Sequence, residues 1–167
     1  ADEAEARRIF DAYVDRGGNF IDTANQYTNG TSERFVGAFA ADRRDRLVIA
    51  TKYTLPMQID DPNSGGNHRK SMIHSVEESL RRLNTDHIDL YLLHWRGQYP
   101  LEETVEAFEQ LRAAGKIGRW GVSNFDVDDL QELAAPACAT NQVLYNLEER
   151  GIEFDLLPWC QQRRMPV

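Results

Sequence analysis

Cysteine is almost missing from this chain: Cys138 and Cys160 are the only two among 167 residues, and they fall in different predicted elements. With no CxxC spacing, neither a disulfide scaffold nor a zinc ribbon is indicated, and two reduced thiols are expected. Histidine is scarce too. His68, His74 and His87 show no ligand-like spacing with one another or with the cysteines, so no metal site is read. Positive charge is outnumbered, with 19 Lys and Arg against 27 Asp and Glu, for a net charge of -8. An acidic surface disfavours binding to nucleic acid or to an anionic membrane, because both are themselves negative. No apolar run approaches the roughly 20 residues that span a bilayer. The N-terminal ADEAEARRIFDAY carries acids where a signal peptide needs positive charge and then an apolar stretch, so a cytoplasmic location is expected. Also lacking is GxGxxG after any strand, which removes the main signature of a dinucleotide-binding open sheet.

What is present is a strict alternation of strand and helix. Residues 4–16 place Ala6, Ile9, Phe10, Tyr13 and Val14 on one helical face, and Gly17-Gly18 ends it. NFIDTA reads as a short buried strand. A second helix follows, capped by Ser32, with Glu33 in its first turn and Phe35, Val36 and Phe39 inward. LVIAT is the next strand, and Pro56 to Asn67 a long loop. A third helix with Met72, Ile73, Val76, Leu80 and Leu83 inward stops near Asn84. Strand IDLYLLH, a helix closed by Gly115, strand GRWGVSN, a short helix around Leu130 and Leu133, and strand TNQVLY come next. A last helix from about Asp155 to Arg164 tolerates Pro158 only in its first turn.

Strands apolar on both faces and alternating with helices make a parallel sheet covered by helices. The residues able to do chemistry lie at the C-terminal ends of several strands, which favours a (β/α)8 TIM barrel over an open sheet. About five parallel strands and six helices are countable, where a closed barrel needs eight strands. The expectation is one partial α/β barrel domain over residues 1–167, lacking the first strand and the last two.

Four side chains carry the chemistry: Asp22 and Tyr27 in FIDTANQY, Lys52 in LVIATK, and His94 in IDLYLLHW. An acid, a phenol, an amine and an imidazole brought together make a proton-donating device for reducing a carbonyl. A phenol ordinarily keeps its proton to about pH 10. A nearby ammonium favours the phenolate, and an acid can hold that ammonium charged and in place, so the Lys52 nitrogen is expected within hydrogen-bond reach of both the Asp22 carboxylate and the Tyr27 hydroxyl. An imidazole can orient the carbonyl oxygen and stabilise the charge developing there. Farther along, Asn124 and Gln142 can each donate and accept, as a carboxamide partner requires.

These motifs resemble the aldo-keto reductase family, over essentially the whole chain. GGNFIDTANQYTNGTSE is similar to the family's GxxxxDTAxxYxNE-type signature, with Asp22 and Tyr27 at the matching places. IATK brings Lys52, LLHW brings His94, and GRWGVSNF and TNQVLYN match the strands that cradle the nicotinamide. The resemblance implies NADPH-dependent reduction of an aldehyde or ketone, with NADPH bringing the hydride and Tyr27 the proton. It implies that Asp22, Ser123, Asn124 and Gln142 contact the cofactor, and that Trp95 lines the substrate pocket beside His94. The family's aromatic residue on strand seven and its 2′-phosphate loop after strand eight have no counterpart in these residues.

Alternatives stay open at this level. Lys52 at a barrel strand end also suits a Schiff-base aldolase. A cofactor-binding regulatory subunit or a catalytically inactive reductase fragment would carry the same four residues. Two open sheet edges and an inner face lined by Ile21, Ile49 and Leu92 would expose apolar surface. Self-association through the edges and negligible turnover of the 167-residue chain are therefore expected.

Overall fold

The structure is a computed structural model that describes residues 2–167. Its elements run α1 (Glu3–Asp15), β1 (Phe20–Asp22), α2 (Thr31–Ala40), β2 (Val48–Tyr53), α3 (Arg69–Leu83), β3 (Ile88–Leu93) and α4 (Leu101–Ala113). They continue with β4 (Ile117–Ser123), α5 (Val127–Leu133), β5 (Asn141–Gln142) and α6 (Leu156–Arg163). Single 3-10 turns occupy Arg44–Arg46 and Gly151–Glu153. The five strands pair in chain order, β1-β2-β3-β4-β5, and every pairing is parallel.

That order never reverses, as it must in a doubly wound sheet. Each of α1 to α4 also packs on the next helix in turn, which keeps these helices on one face. The architecture is five strands' worth of a (β/α)8 barrel wall, with helices outside. In the described residues β1 and β5 each have one partner strand. Beside β5, the Pro166 carbonyl accepts from the Asn141 amide (3.3 Å) and the Thr140 hydroxyl (3.0 Å).

Register sorts the side chains. Lys52 pairs with Leu92 and Leu92 with Gly121, one layer above Ala50, Leu90 and Arg119. Cα partners in parallel strands share a face, so these residues look into the barrel with Asp22, which pairs with Ala50. Residues of opposite parity meet the helices. There Tyr53 stacks on Tyr91 (5.2 Å between centroids) and Phe108 of α4 stacks on Trp120 (4.8 Å), all four fully buried. This parity corrects one expectation. Ile21 and Ile49 belong to the helix-covered face, and Leu92, although inward, is buried; the exposed inward residues include Phe20, Asp22 and Arg119, so only Phe20 among them is apolar.

Two further expectations shift. Ile9 and Tyr13 of α1 are exposed, because α1 packs chiefly on α2 and leaves a groove of about 370 Å³ beside β1 partly open. Ser32 is not the cap of α2. Gly30, at φ 79°, holds that position, and the Ser32 hydroxyl lies 2.7 Å from that of Thr23.

Glu33 does lie in the first turn of α2, but it points inward and is completely buried. It accepts from the Thr51 hydroxyl of β2 (2.6 Å) and from Arg82 Nε of α3 (2.6 Å). Gly37, one turn on, lets α3 come close: a Cβ there would sit 2.5 Å from the Leu83 carbonyl oxygen. Glu33 thus ties two helices to the strand that carries Lys52. Removing one partner of a buried pair strands the other charge, at about 3–5 kcal/mol. Glu33→Ala is expected to lower the unfolding free energy by about that much in urea titrations, whereas Glu33→Leu combined with Arg82→Leu should lose markedly less.

Candidate active site

Parallel strands put all their C-terminal ends on one rim, so residues scattered through the sequence meet there. Asp22 ends β1, Lys52 is the penultimate residue of β2, and His94 follows β3, its amide continuing the ladder to the Tyr53 carbonyl (3.0 Å). Ser123 ends β4 and Gln142 ends β5. Tyr27 sits in the turn after β1, where Thr28, Asn29 and Gly30 all take positive φ values. That left-handed run, written in the sequence as TNG, folds the chain back sharply and leaves Tyr27 41% exposed on the rim.

Lys52 is the most constrained member, 1% exposed. Its Nζ donates to Asp22 Oδ1 (2.8 Å), Asp22 Oδ2 (2.7 Å) and the Thr23 carbonyl (2.9 Å). An ammonium has three protons, and these acceptors take all of them. One expectation is thereby corrected: Lys52 does not hydrogen-bond the Tyr27 hydroxyl. The amine instead stands 5.1 Å from the centre of the Tyr27 ring, acting on it as a fixed charge. The competing aldolase reading also falls, since a Schiff-base nucleophile must be a free neutral amine.

His94 faces Tyr27 edge-on, with ring centroids 6.0 Å apart and planes at 79°. Its Nδ1 is buried without a hydrogen-bond partner, which leaves Nε2 as the nitrogen open to the rim. Burial lowers the pKa of the imidazole below its ordinary value; the Lys52 charge lowers it further, and Asp22 opposes them weakly. The ring is neutral at neutral pH. Trp95 lies nearly parallel to it (22°, 6.1 Å) and is 48% exposed.

Asn124 adopts φ 62° and donates from Nδ2 to the His94 carbonyl (3.0 Å) and the Ser123 hydroxyl (3.1 Å). Ser123 Oγ in turn donates to the Gln142 carbonyl (2.7 Å). Asp126, not Asn124, caps α5, through a reciprocal capping box with Asp129. Ser123, Asn124 and Gln142 therefore form one connected rim cluster. Cys138 and Cys160 are free, buried and remote from the rim; burial pushes the Cys138 thiol up to about 11.

Sequence reasoning missed three contributors. Thr23 supplies the carbonyl under Lys52. Thr54, held at φ 116°, accepts the Trp95 amide (3.2 Å). Asn67 bridges two rim loops. Nothing in composition or periodicity marks a threonine or asparagine that acts through backbone hydrogen bonds.

The rim of this barrel wall thus carries an ion-paired lysine beneath a tyrosine and across from a neutral histidine. The profile of the Aldo/keto reductase family matches residues 1–167. Methylglyoxal reductase YeaE of Escherichia coli (strain K12) is 50% identical over 93% of this chain and 53% of its own length. An aldo/keto reductase from Klebsiella pneumoniae, solved with NADP and acetate, superposes with a TM-score of 0.90 at 48% identity, covering 99% of this chain and 56% of that one. The holo form of aldo-keto reductase AKR11C1 from Bacillus halodurans gives 0.89 at 34% identity, with 99% and 57% covered. The chain belongs to the aldo/keto reductase family. It spans about half the length of the curated relatives it matches.

The electrostatics are testable without turnover. Because the Lys52 charge helps hold His94 neutral while Asp22 opposes it, Lys52→Met is expected to raise the His94 midpoint, followed by its ring proton shifts in an NMR pH titration. A midpoint unmoved by the substitution would mean that the lysine charge does not reach the ring.

Proposed function

We propose that this chain carries the proton-donating half of an NADPH-dependent reductase of aldehydes or ketones. The observation that carries the reading is the Lys52–Asp22 pair set beneath Tyr27, with the open edge of His94 opposite. A carbonyl oxygen placed between the two rings would meet the Tyr27 hydroxyl on one side and His94 Nε2 on the other. As carbon accepts hydride, the carbonyl π electrons move to oxygen and Tyr27 gives its proton there. The resulting phenolate lies in the field of the Lys52 ammonium, and its exposure allows solvent to return the proton. Asp22 acts through Lys52, keeping it charged and pointed. His94, neutral, can donate from Nε2 and stabilise oxygen charge without competing as the acid.

The cofactor assignment rests on the donor set and on relatives. Gln142 uses its backbone carbonyl for Ser123, while its side-chain amide bonds to no other described residue. The Gln142 amide and the Asn124 side-chain oxygen, on residues joined by a backbone hydrogen bond (3.0 Å), supply the donor and the acceptor that a carboxamide needs. Ser123, Asn124 and Gln142 would hold the nicotinamide end, and Asp22 would border it. When bound, NADPH supplies the hydride. NADP and NADPH occupy the Klebsiella pneumoniae relatives, and a Phanerodontia chrysosporium relative, 36% identical, is an aryl-alcohol dehydrogenase using NADP(+). Trp95, stacked on His94, would wall the substrate pocket.

The test uses a chimera in which residues 2–167 replace the matching half of the Escherichia coli relative. With NADPH and 4-nitrobenzaldehyde, Tyr27→Phe is expected to lower kcat by about 10²–10⁴-fold, the usual worth of a positioned acid, with little change in NADPH affinity. An equal loss in NADPH binding would make Tyr27 a binding residue and place the acid elsewhere.

A further inference from the structure

Two aromatic side chains, Trp95 and Tyr99, stand 48% exposed in the loop between β3 and α4. Apolar rings on an exposed loop are ordinarily mobile, yet the backbone beneath them is fastened at both ends. At the first end, the Trp95 amide donates to the hydroxyl of Thr54, a β-branched residue held at φ 116°, where side chains other than glycine are strained. At the second, Asn67 is 0% exposed and every polar atom of its amide is used. Its Nδ2 donates to the Tyr99 carbonyl (3.0 Å) and to the Thr104 hydroxyl (2.9 Å), and its Oδ1 accepts from the Tyr99 amide (3.1 Å). Thr104, in the first turn of α4, donates back to the Asn67 carbonyl (3.1 Å).

One side chain thus makes both hydrogen bonds that a neighbouring strand would make to Tyr99. The fit is tight between the two attachments. A Cβ at Gly97 would overlap Asn67 Oδ1 and come within 2.7 Å of its Cγ, so only glycine lets the loop cross there. The fasteners are also joined to each other, because the Gly66 amide donates to the Thr54 carbonyl (2.8 Å). His68 packs edge-on against Tyr99 (4.9 Å).

We propose that Asn67 is a positioning residue that sets the substrate wall: by locking the loop of Trp95 and Tyr99, it selects flat, aromatic carbonyl compounds. The inference rests on the reading of Trp95 as a pocket wall. The lock holds the indole face nearly parallel to His94, where a planar ring can lie against it; a compound of three or four carbons is too small to use that face.

The experiment uses the same chimera and measures binding and exchange, so it does not depend on turnover. Binding of 4-nitrobenzaldehyde is read by isothermal titration calorimetry, and loop order from hydrogen exchange at residues 95–99. Asn67→Ala and Gly97→Ala, which break the same contact from opposite sides, are expected to weaken binding about tenfold, or about 1.4 kcal/mol. Both should speed exchange in the loop while leaving α1 and α2 unchanged. Thr54→Val should do likewise and Thr54→Ser should not, because only the serine keeps the hydroxyl. Circular dichroism confirms that each variant is folded. Failure of the starting chimera to bind the probe, equal binding by Asn67→Ala, or faster exchange with unchanged affinity would overturn the proposal. Loss of activity in the Tyr27→Phe chimera is a separate result and bears only on the reductase reading.

Discussion

Burying the Lys52 ammonium is the constraint on which the rest of the structure depends. An isolated charge taken out of water costs several kcal/mol, and the fold recovers that cost only through geometry that satisfies every proton. Here the acceptors are both oxygens of Asp22 and the Thr23 carbonyl. They come from one short segment, so β1 and the turn after it must lie where the end of β2 can reach them. The Glu33 interaction does the same from outside, pinning α2 and α3 to Thr51, the residue before the lysine. Stability and chemistry share these contacts. The pair that makes a buried lysine tolerable also keeps it charged beneath Tyr27.

Much of this was legible in the sequence, for a reason that can be named. Strand-helix alternation and the position of chemically active residues after apolar runs report backbone topology directly, and parallel pairing then places every strand end on one rim. Asp22, Tyr27, Lys52, His94, Ser123, Asn124 and Gln142 are gathered there in the structure. The details that escaped depend on parity and on local hydrogen bonds. Ile49, expected on the inner face, lies three residues before Lys52 on the same strand, so an inward Lys52 turns Ile49 toward the helices. Glu33 reads as a helix-start charge, favourable near the dipole, whereas the structure buries it among partners far away in sequence. The contact between Lys52 and the Tyr27 hydroxyl failed because the lysine's protons were already taken, a saturation that no spacing reveals.

The rim divides into rigid and presented parts. Lys52, Thr23, Ser123 and Asn67 are buried and fully bonded, while Tyr27, Trp95 and Tyr99 stand partly exposed above them. Such an arrangement holds reacting groups in place before a substrate arrives, which lowers the ordering cost at the moment of reaction. Left-handed backbone also occurs here: Thr28, Thr54 and Asn124 all take positive φ values within or beside the site. Surrounding hydrogen bonds hold each of them in that conformation, as strained functional backbone requires.

If Lys52 acts only as a charge held by Asp22, the two residues form one functional unit. The most direct measurement is a double-mutant cycle on kcat in the chimera, with Asp22→Asn, Lys52→Met and the double variant. Strong non-additivity is expected: once Lys52 is gone, losing the Asp22 charge as well should cost little more. Additive losses, with the double variant falling by the product of the two single effects, would contradict it and give Asp22 and Lys52 independent roles.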